Sequence, residues 1–366
     1  MARIPILGVV GARPNFMKMA PIARLLKKHR AFDFTLVHTG QHYASMSDPF
    51  FRELGLPDAD YHLKIGSTSA AEQIGMVITL LVPILAKLKP RLVLVVGDVT
   101  STLAAALAAH KMGIRVGHIE AGLRSFDETM PEEINRRLTD AISDHCFTHS
   151  PEADVHLRHE GIASSRIHRV GNLMIDTLLR MRPVARRSRV RESLKLEKKE
   201  YALLTLHRPS NVDREDDLRK FVDLLETISS SLPVVFPVHP RTILSAKRYG
   251  LWNPPPAELR LIEPLGYLDF LKLQEDARFI MTDSGGVQEE STVLGVPCLT
   301  LRENTERPAT IKFGTNRLVG TKPEGILRQV QRILRGDLPP HRVPPLWDGR
   351  SAPRLLKVLE NQLTKD

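Results

Sequence analysis

Two cysteines in 366 residues are too few for a disulfide framework. Cys146 and Cys298 lie in apolar, strand-like segments, so both are expected to be buried thiols in a reducing, cytoplasmic setting. Aromatic residues make up only 5% of the chain, and the basic stretch 182–199 has none among its arginines and lysines. A single-stranded nucleic acid would have no stacking platform there, and the net charge of +10 is poor evidence of duplex contact by itself. No nucleic-acid partner is therefore expected. No apolar run reads as long enough to cross a bilayer, and residues 4–10 are too short a run, too soon followed by Arg13, for a signal peptide. No membrane partner is expected. Clusters of His, Cys and Asp at metal-ligand spacing are missing, as are a Walker loop and a nucleophile elbow. Asp58-Ala59-Asp60 has the form of a metal-binding triplet, but such triplets arise easily by chance.

What is present is a globular composition, 42% hydrophobic and 26% charged, long enough for two domains with their own cores. Short Val/Leu/Ile runs alternate with helical patterns from end to end. Strands are expected at 4–10, 34–39, 92–96, 115–119 and 145–148, and again at 201–206, 234–238, 259–262, 278–281 and 298–301. Continuous apolar strands separated by helices predict buried parallel sheets covered on both faces. The pattern restarts after Gly171-Asn172. The expected architecture is α/β, with two doubly wound Rossmann-like domains, 1–172 and 173–345, and a helical tail, 346–366, packing back on the first. Ligands of such sheets lie beyond the carboxyl ends of the strands, so the motifs there are expected to converge on an interdomain cleft.

The most informative of these motifs is Asp283-Ser284-Gly285-Gly286-Val287-Gln288-Glu289-Glu290, after the apolar strand 278–281. Backbone N–H groups at such a helix start face an anion, and glycines let a phosphate approach closely. Ser284, Gly285 and Gly286 are expected to bind phosphate, and Glu290 to reach sugar hydroxyls. Gly11-Ala12-Arg13-Pro14-Asn15 ends the first strand, with Arg13 and Lys18 as candidate phosphate ligands. Three acids, Asp98, Glu120 and Glu132, fall at strand or helix ends on the same side. Acids gathered in one cleft separate into acid and base roles. Asp98 also suits a helix cap, and Glu132 with Glu133 suits a helix dipole. His207, at a strand's carboxyl end beside Arg208, suits a phosphate or acid–base role. Arg307 lies in Glu303-Asn304-Thr305-Glu306-Arg307-Pro308.

Taken in order, these motifs resemble the non-hydrolysing UDP-N-acetylglucosamine 2-epimerases. The resemblance runs from Gly11 to about Gly320: Gly-Ala-Arg-Pro-x-x-x-Lys, Gly-Asp, His-x-Glu-Ala-Gly-Leu-Arg, Pro-Glu-Glu-x-Asn-Arg, Leu-His-Arg, Asp-Ser-Gly-Gly-x-Gln-Glu-Glu and Thr-Glu-Arg-Pro. It implies the GT-B fold, a UDP-sugar substrate held between the domains, a homodimer, and neither metal nor nicotinamide cofactor. Carried over by motif, Arg13 and Lys18 lie near the diphosphate, Ser284, Gly285 and Gly286 bind it, Glu290 takes the ribose, and Arg307 contacts the phosphate or sugar. Asp98, Glu120, Glu132 and His207 match the catalytic positions, and His207 also binds substrate. The implied reaction expels UDP from C1 as the C2 proton leaves, giving a 2-acetamidoglucal, and re-adds it after protonation from the other face. Related sugars, such as a diacetamido-uronic acid nucleotide, and a hydrolysing outcome remain open, with a GT-B glycosyltransferase a more distant alternative. Some members bind an activating second substrate through the segment after Gln41-His42, where Tyr43-Ala44-Ser45 departs from their pattern.

Overall fold

The computed structural model describes residues 3–40, 53–66, 68–252, 255–338 and 341–364. The segment 41–45 lies outside them. The chain forms two compact units, residues 1–180 with 345–366, and residues 181–344.

The first unit holds a parallel sheet of β1 (Ile4–Val10), β2 (Phe32–His38), β3 (Tyr61–His62), β4 (Leu92–Val96), β5 (Arg115–Ile119), β6 (His145–Thr148) and β7 (Ile167–Arg169). Its order is β3-β2-β1-β4-β5-β6-β7, and its pairings are parallel. All five residues of β4, Leu-Val-Leu-Val-Val, are buried, as a strand covered on both faces requires. Each such side chain contributes roughly 1.5–3 kcal/mol of transfer free energy. The second unit holds β8 (Ala202–Thr205), β9 (Val234–Pro237), β10 (Leu259–Ile262), β11 (Phe279–Thr282), β12 (Cys298–Thr300) and β13 (Asn316–Leu318), in the order β10-β9-β8-β11-β12-β13, again parallel.

Strand order reverses between β1 and β4 in one sheet and between β8 and β11 in the other. These are the topological switch points, where crossovers run to opposite faces and leave a crevice beyond the carboxyl ends. Gly11 and Gly97 follow the strands of the first, and Leu206 and Asp283 those of the second.

Three expectations are corrected. The division between units falls after Arg180, within the helix Leu173–Ala185, and not at 172. The early turns of that helix are tied to the first unit: Thr177 Oγ1 donates to the Met17 carbonyl at 2.5 Å, and Arg180 Nη1 to the Leu54 carbonyl at 2.9 Å. The tail meets the first unit through the helix Ser351–Leu363, whose first amides, Ser351 and Ala352, donate to the Asp176 carboxylate at 3.0 and 2.8 Å. The helix Ala70–Leu88 is long and apolar enough to cross a membrane, contrary to the expectation that no run reached that length. Its Ser69–Glu72 capping box starts it, and Val77, Leu81 and Leu85 are buried in the first unit's core. Finally, Asp98 is not a helix cap; the helix Thr100–Lys111 is capped at Val99.

The basic stretch is largely tied down within the second unit. Arg182 and Arg186 meet Glu275 at 2.8 and 2.6 Å, and Lys199 Nζ donates to the Glu275 and Ala277 carbonyls at 3.0 and 2.8 Å. Cys146 and Cys298 are buried free thiols. Asp60, from the acidic triplet, accepts from the Leu36 amide at 2.7 Å and pairs with Lys27, a strand-edge clamp.

Candidate functional site

At the first switch point Asn15 knits the two strand ends together. Its Oδ1 accepts from the Gly11 and Ala12 amides, both at 3.1 Å, and its Nδ2 donates to the Val96 carbonyl at 2.9 Å. Gly11 is needed for closeness, since a Cβ there would stand 2.5 Å from Ser101 Oγ. This fixes the start of the helix Arg13–Lys28, with Arg13 at its exposed first position and Lys18 buried one turn further.

Lys18 Nζ is paired with Glu120 Oε2, the side chains being 8% and 7% exposed. Glu120 holds a left-handed backbone, φ 73°, which a non-glycine residue adopts at a cost of about 1–2 kcal/mol. Gly97, φ 68°, lies against the pair: a Cβ there would be 3.4 Å from Glu120 Oε2 and 3.8 Å from Lys18 Nζ. The strain is held from both sides. His118, two residues before Glu120, places Nδ1 2.6 Å from Asp140 Oδ1 and Nε2 2.7 Å from the Gly97 carbonyl. Gly122, two residues after it, donates its amide to Asp140 Oδ2 at 3.0 Å. Burial by itself pushes the Asp140 carboxyl up, but His118 and Arg124, the latter 2.7 Å away, outweigh it and hold it below its ordinary value.

Asp98 stands apart from that pair. Its Oδ2 receives Arg136 Nη2 at 2.5 Å, and its carbonyl receives Asn135 Nδ2 at 2.9 Å. Arg136 also pairs with Glu133. Of the two adjacent acids, Glu132 is exposed in the first turn of the helix Pro131–Ile142, while Glu133 is buried, accepting from the Ser125 amide and hydroxyl at 2.9 and 2.8 Å and from the Phe126 amide at 3.2 Å. Glu133 is thus the loop anchor, and Glu132 is the acid left accessible. Burial disfavours the Glu133 charge, but Ser125 and Arg136 hold its pKa below the ordinary carboxyl value.

At the second switch point Thr205 and Thr282 join across β8 and β11, hydroxyl to hydroxyl at 2.6 Å. Asp283, fully buried, then organises the loop after β8. It accepts from the His207 and Arg208 amides at 2.9 and 2.8 Å and from Asn211 Nδ2 at 3.2 Å, while its Oδ1 lies 2.8 Å from His207 Nδ1. The contact orients His207 by Nδ1, in a ring 42% exposed. Burial would raise the Asp283 carboxyl; His207 and the amides hold it lower.

The helix Gly285–Leu294 opens directly beyond Asp283. Ser284 is its N-cap and makes no side-chain cap bond, so its early amides have no partner from that side chain. Ser284, Gly285 and Gly286 are half-buried, whereas residues 287–292 are buried. A Cβ at Gly285 would lie 2.9 Å from Glu306 Oε1 and 3.6 Å from the Arg307 guanidinium. Glu306 accepts from Arg302 at 2.8 Å and lies 3.7 Å from Arg307 and 3.8 Å from Arg208. Burial opposes its charge, but these cations hold its carboxyl far below the ordinary range. Arg307 Nε also meets Glu289 Oε1 at 2.8 Å. Glu290, 3% exposed, accepts from Tyr267 Oη at 2.9 Å and Gln274 Nε2 at 2.7 Å.

The structure therefore brings Lys18 to Glu120 and His207 to Asp283, and sets Arg307 beside Gly285. It ties Asp98 to Arg136 and leaves Glu132 exposed. Asn15, His118, Asp140, Arg136 and Asp283 were not among the candidates. They are buried scaffold polar groups, each with at least one partner far away in the chain, so no spacing rule signals them. Asp283 did stand inside the glycine motif, and His118 inside the Glu120 motif.

Two parallel, doubly wound Rossmann-like units define the GT-B class of two-domain proteins. The chain belongs to the UDP-N-acetylglucosamine 2-epimerase family, whose sequence profile matches residues 24–360. It is 43% identical over 361 residues to a UDP-N-acetylglucosamine 2-epimerase of Methanococcus maripaludis, covering 96% of this chain and 97% of that one. It is 39% identical over 334 residues to a UDP-2,3-diacetamido-2,3-dideoxy-D-glucuronate 2-epimerase of Pseudomonas aeruginosa, covering 90% and 92%. The crystal structure of the Methanocaldococcus jannaschii UDP-GlcNAc 2-epimerase, in complex with UDP-GlcNAc and UDP, matches with a TM-score of 0.90 at 40% identity, covering 98% of this chain and all of that one.

Proposed function

We propose that the protein interconverts UDP-N-acetylglucosamine and UDP-N-acetylmannosamine by elimination and re-addition of UDP. The observation that carries this reading is the strained, buried Glu120–Lys18 pair at a switch point, in a chain so similar to named 2-epimerases. The C2 hydrogen of the sugar has no adjacent carbonyl and is poorly acidic. Its removal needs a positioned base, and departure of the diphosphate from C1 needs cations that both stabilise and retain it. Asp98, Glu120, Glu132 and His207 form the acid–base set. Arg13, Lys18, Arg307 and the Ser284–Gly286 helix start hold the diphosphate, and Glu290 accepts from the ribose. In the elimination, the C2 proton passes to the base, the C–H electrons form the C1–C2 double bond, and UDP leaves with the C1–O electrons. Re-addition reverses these steps after protonation of C2 from the opposite face. Incubation of UDP-GlcNAc in heavy water tests this: UDP-ManNAc with deuterium at C2 is expected. Free sugar plus UDP would mean hydrolysis. No manno isomer and no label would sink the reading, and turnover only of the diacetamido-glucuronate nucleotide would move it to that sugar.

The working unit is a homodimer joined through the outer face of the helix Ala70–Leu88. This face is apolar, with Met76 and Leu80 37% and 40% exposed, and only 22% of the helix's most apolar window is buried. Pairing with a second copy accounts for such a face. Light scattering should give a dimer for the native protein and a monomer for Met76→Glu/Leu80→Glu; a native monomer would refute the dimer. The two buried thiols support a cytoplasmic location.

A further inference from the structure

We propose that Gln288 is a positioning residue for the diphosphate, tying the Ser284–Gly286 helix start and Arg307 to one side-chain amide so that the two keep a fixed spacing. The inference rests on the proposed role of those groups in holding the diphosphate and adds what sets them relative to each other. Gln288 is fully buried and stands one turn into the helix Gly285–Leu294. Helical side chains lean towards the helix N-terminus, and its Nε2 reaches back to donate to the Ser284 carbonyl at 3.3 Å. Its Oε1 accepts from Thr305 Oγ1 at 2.7 Å and from Asn316 Nδ2 at 3.3 Å.

Both donors lead to the backbone of Arg307. The Thr305 hydroxyl, while donating to Gln288, accepts from the Arg307 amide at 3.1 Å. Asn316 Nδ2 also donates to Thr310 Oγ1 at 2.9 Å, and that hydroxyl donates to the Arg307 carbonyl at 2.7 Å. Arg307 is thus held at its amide by one threonine and at its carbonyl by another, and both branches meet at the same glutamine oxygen. Asn316 is steadied in turn by Thr300 Oγ1, which donates to its Oδ1 at 2.6 Å. Gln288, Thr300, Thr310 and Asn316 are all buried, and a satisfied buried network of this kind is rigid. The side chain of Arg307 is referenced to the same helix. Its Nε meets Glu289 at 2.8 Å, and a Cβ at Gly285 would lie 3.6 Å from its guanidinium. Donors fixed in advance serve best where charge develops on a departing diphosphate, because they need not reorganise.

Calorimetry with UDP, and competition by uridine, tests this on the full-length protein with Gln288→Met, Thr305→Val and Thr305→Ser. The native protein should prefer UDP to uridine by about 100-fold or more, the effect of two charge-assisted hydrogen bonds. Gln288→Met and Thr305→Val should each cut that preference about three- to tenfold, with uridine affinity within about twofold of native, and Thr305→Ser should restore most of it by keeping the hydroxyl. In turnover kcat should fall along with UDP affinity, since the same donors face the leaving group. An unchanged preference in Gln288→Met and Thr305→Val, or equal weakening of both ligands, would show that the network merely joins helix to sheet and would overturn the proposal. A native protein that binds uridine as tightly as UDP would overturn the diphosphate assignment itself. Should Gln288→Met fail to fold, the two variants of the half-buried Thr305 decide.

Discussion

Replacing Lys18 with Met is the most demanding test of the first switch point. The side chain is retained in length, but the buried cation paired with a carboxylate 7% exposed is lost. Breaking a buried pair from one side costs about 3–5 kcal/mol, because the other charge is left uncompensated. Glu120 already carries a left-handed backbone, so the unit has little slack to turn it towards water. In a domain of this size about 3 kcal/mol corresponds to a fall in Tm of roughly 6–12 °C. Glu120→Gln removes the charge from the other side, and the double variant leaves no buried charge at that place. Stability should therefore be partly recovered in the double variant, with a coupling of about 1–3 kcal/mol. Activity should not be recovered, since the proposed acid–base group is absent. The assays are thermal unfolding of all four proteins and C2 deuterium incorporation from heavy water. Additive stability losses, or a Lys18→Met protein with native turnover, would refute the reasoning.

Asp98→Asn and His207→Ala should each lower kcat by about 100-fold or more while UDP affinity changes little, as removal of acid–base groups does; equal losses in calorimetric UDP affinity would assign them to binding instead. Gly122→Ala should destabilise by about 2–5 kcal/mol, since it adds a Cβ 2.5 Å from the Ala153 carbonyl at φ 80°, whereas Gly113→Ala, at φ 71° with open space around it, should cost only about 1–2 kcal/mol. Chemical denaturation measures both, and equal costs would remove the close approach as the reason for Gly122. His145 is held at about 4 by burial and by His168, its ring 3.2 Å away, so the unfolded chain binds the extra proton between there and about 6.5. Stability should fall as pH drops through that window, by about 3 kcal/mol at most, and His145→Phe should flatten the fall in unfolding free energy; an unaltered slope would count against the pair.

The strands that periodicity located are the apolar ones. β4 and β5 are central, and continuous Val/Leu/Ile is the signature of burial on both faces. β3, β7 and β13 went unseen, and all three lie at sheet edges. Their sequences, Tyr-His, Ile-His-Arg and Asn-Arg-Leu, carry polar residues because an edge meets solvent on one side. The helix Ala70–Leu88 was misjudged in the other direction. Its charged residues, Glu72 and Lys87, lie near its two ends, and the turns between them are mostly apolar.

The site divides along a different line. The candidate site residues were legible, because a phosphate or acid–base role calls for a glycine, a cation or an acid at a strand end, where sequence shows it. Residues that face those residues were not, because any buried polar group can serve if the fold supplies its partner. His118 and Asp140 illustrate this: they are twenty-two positions apart, and neither has a local reason to be where it is. Together they pin Gly97 and Gly122, the two points between which Glu120 is bent. The same logic holds in the second unit, where Asp283 fixes His207 and Arg208 by their amides before any side chain meets a ligand. A left-handed glutamate persists only where the surroundings over-determine it. The scaffold that went unread is thus what holds the candidate acid in its bent position, and a variant that keeps Glu120 but loses Asp140 should lose the geometry with the acid still in place.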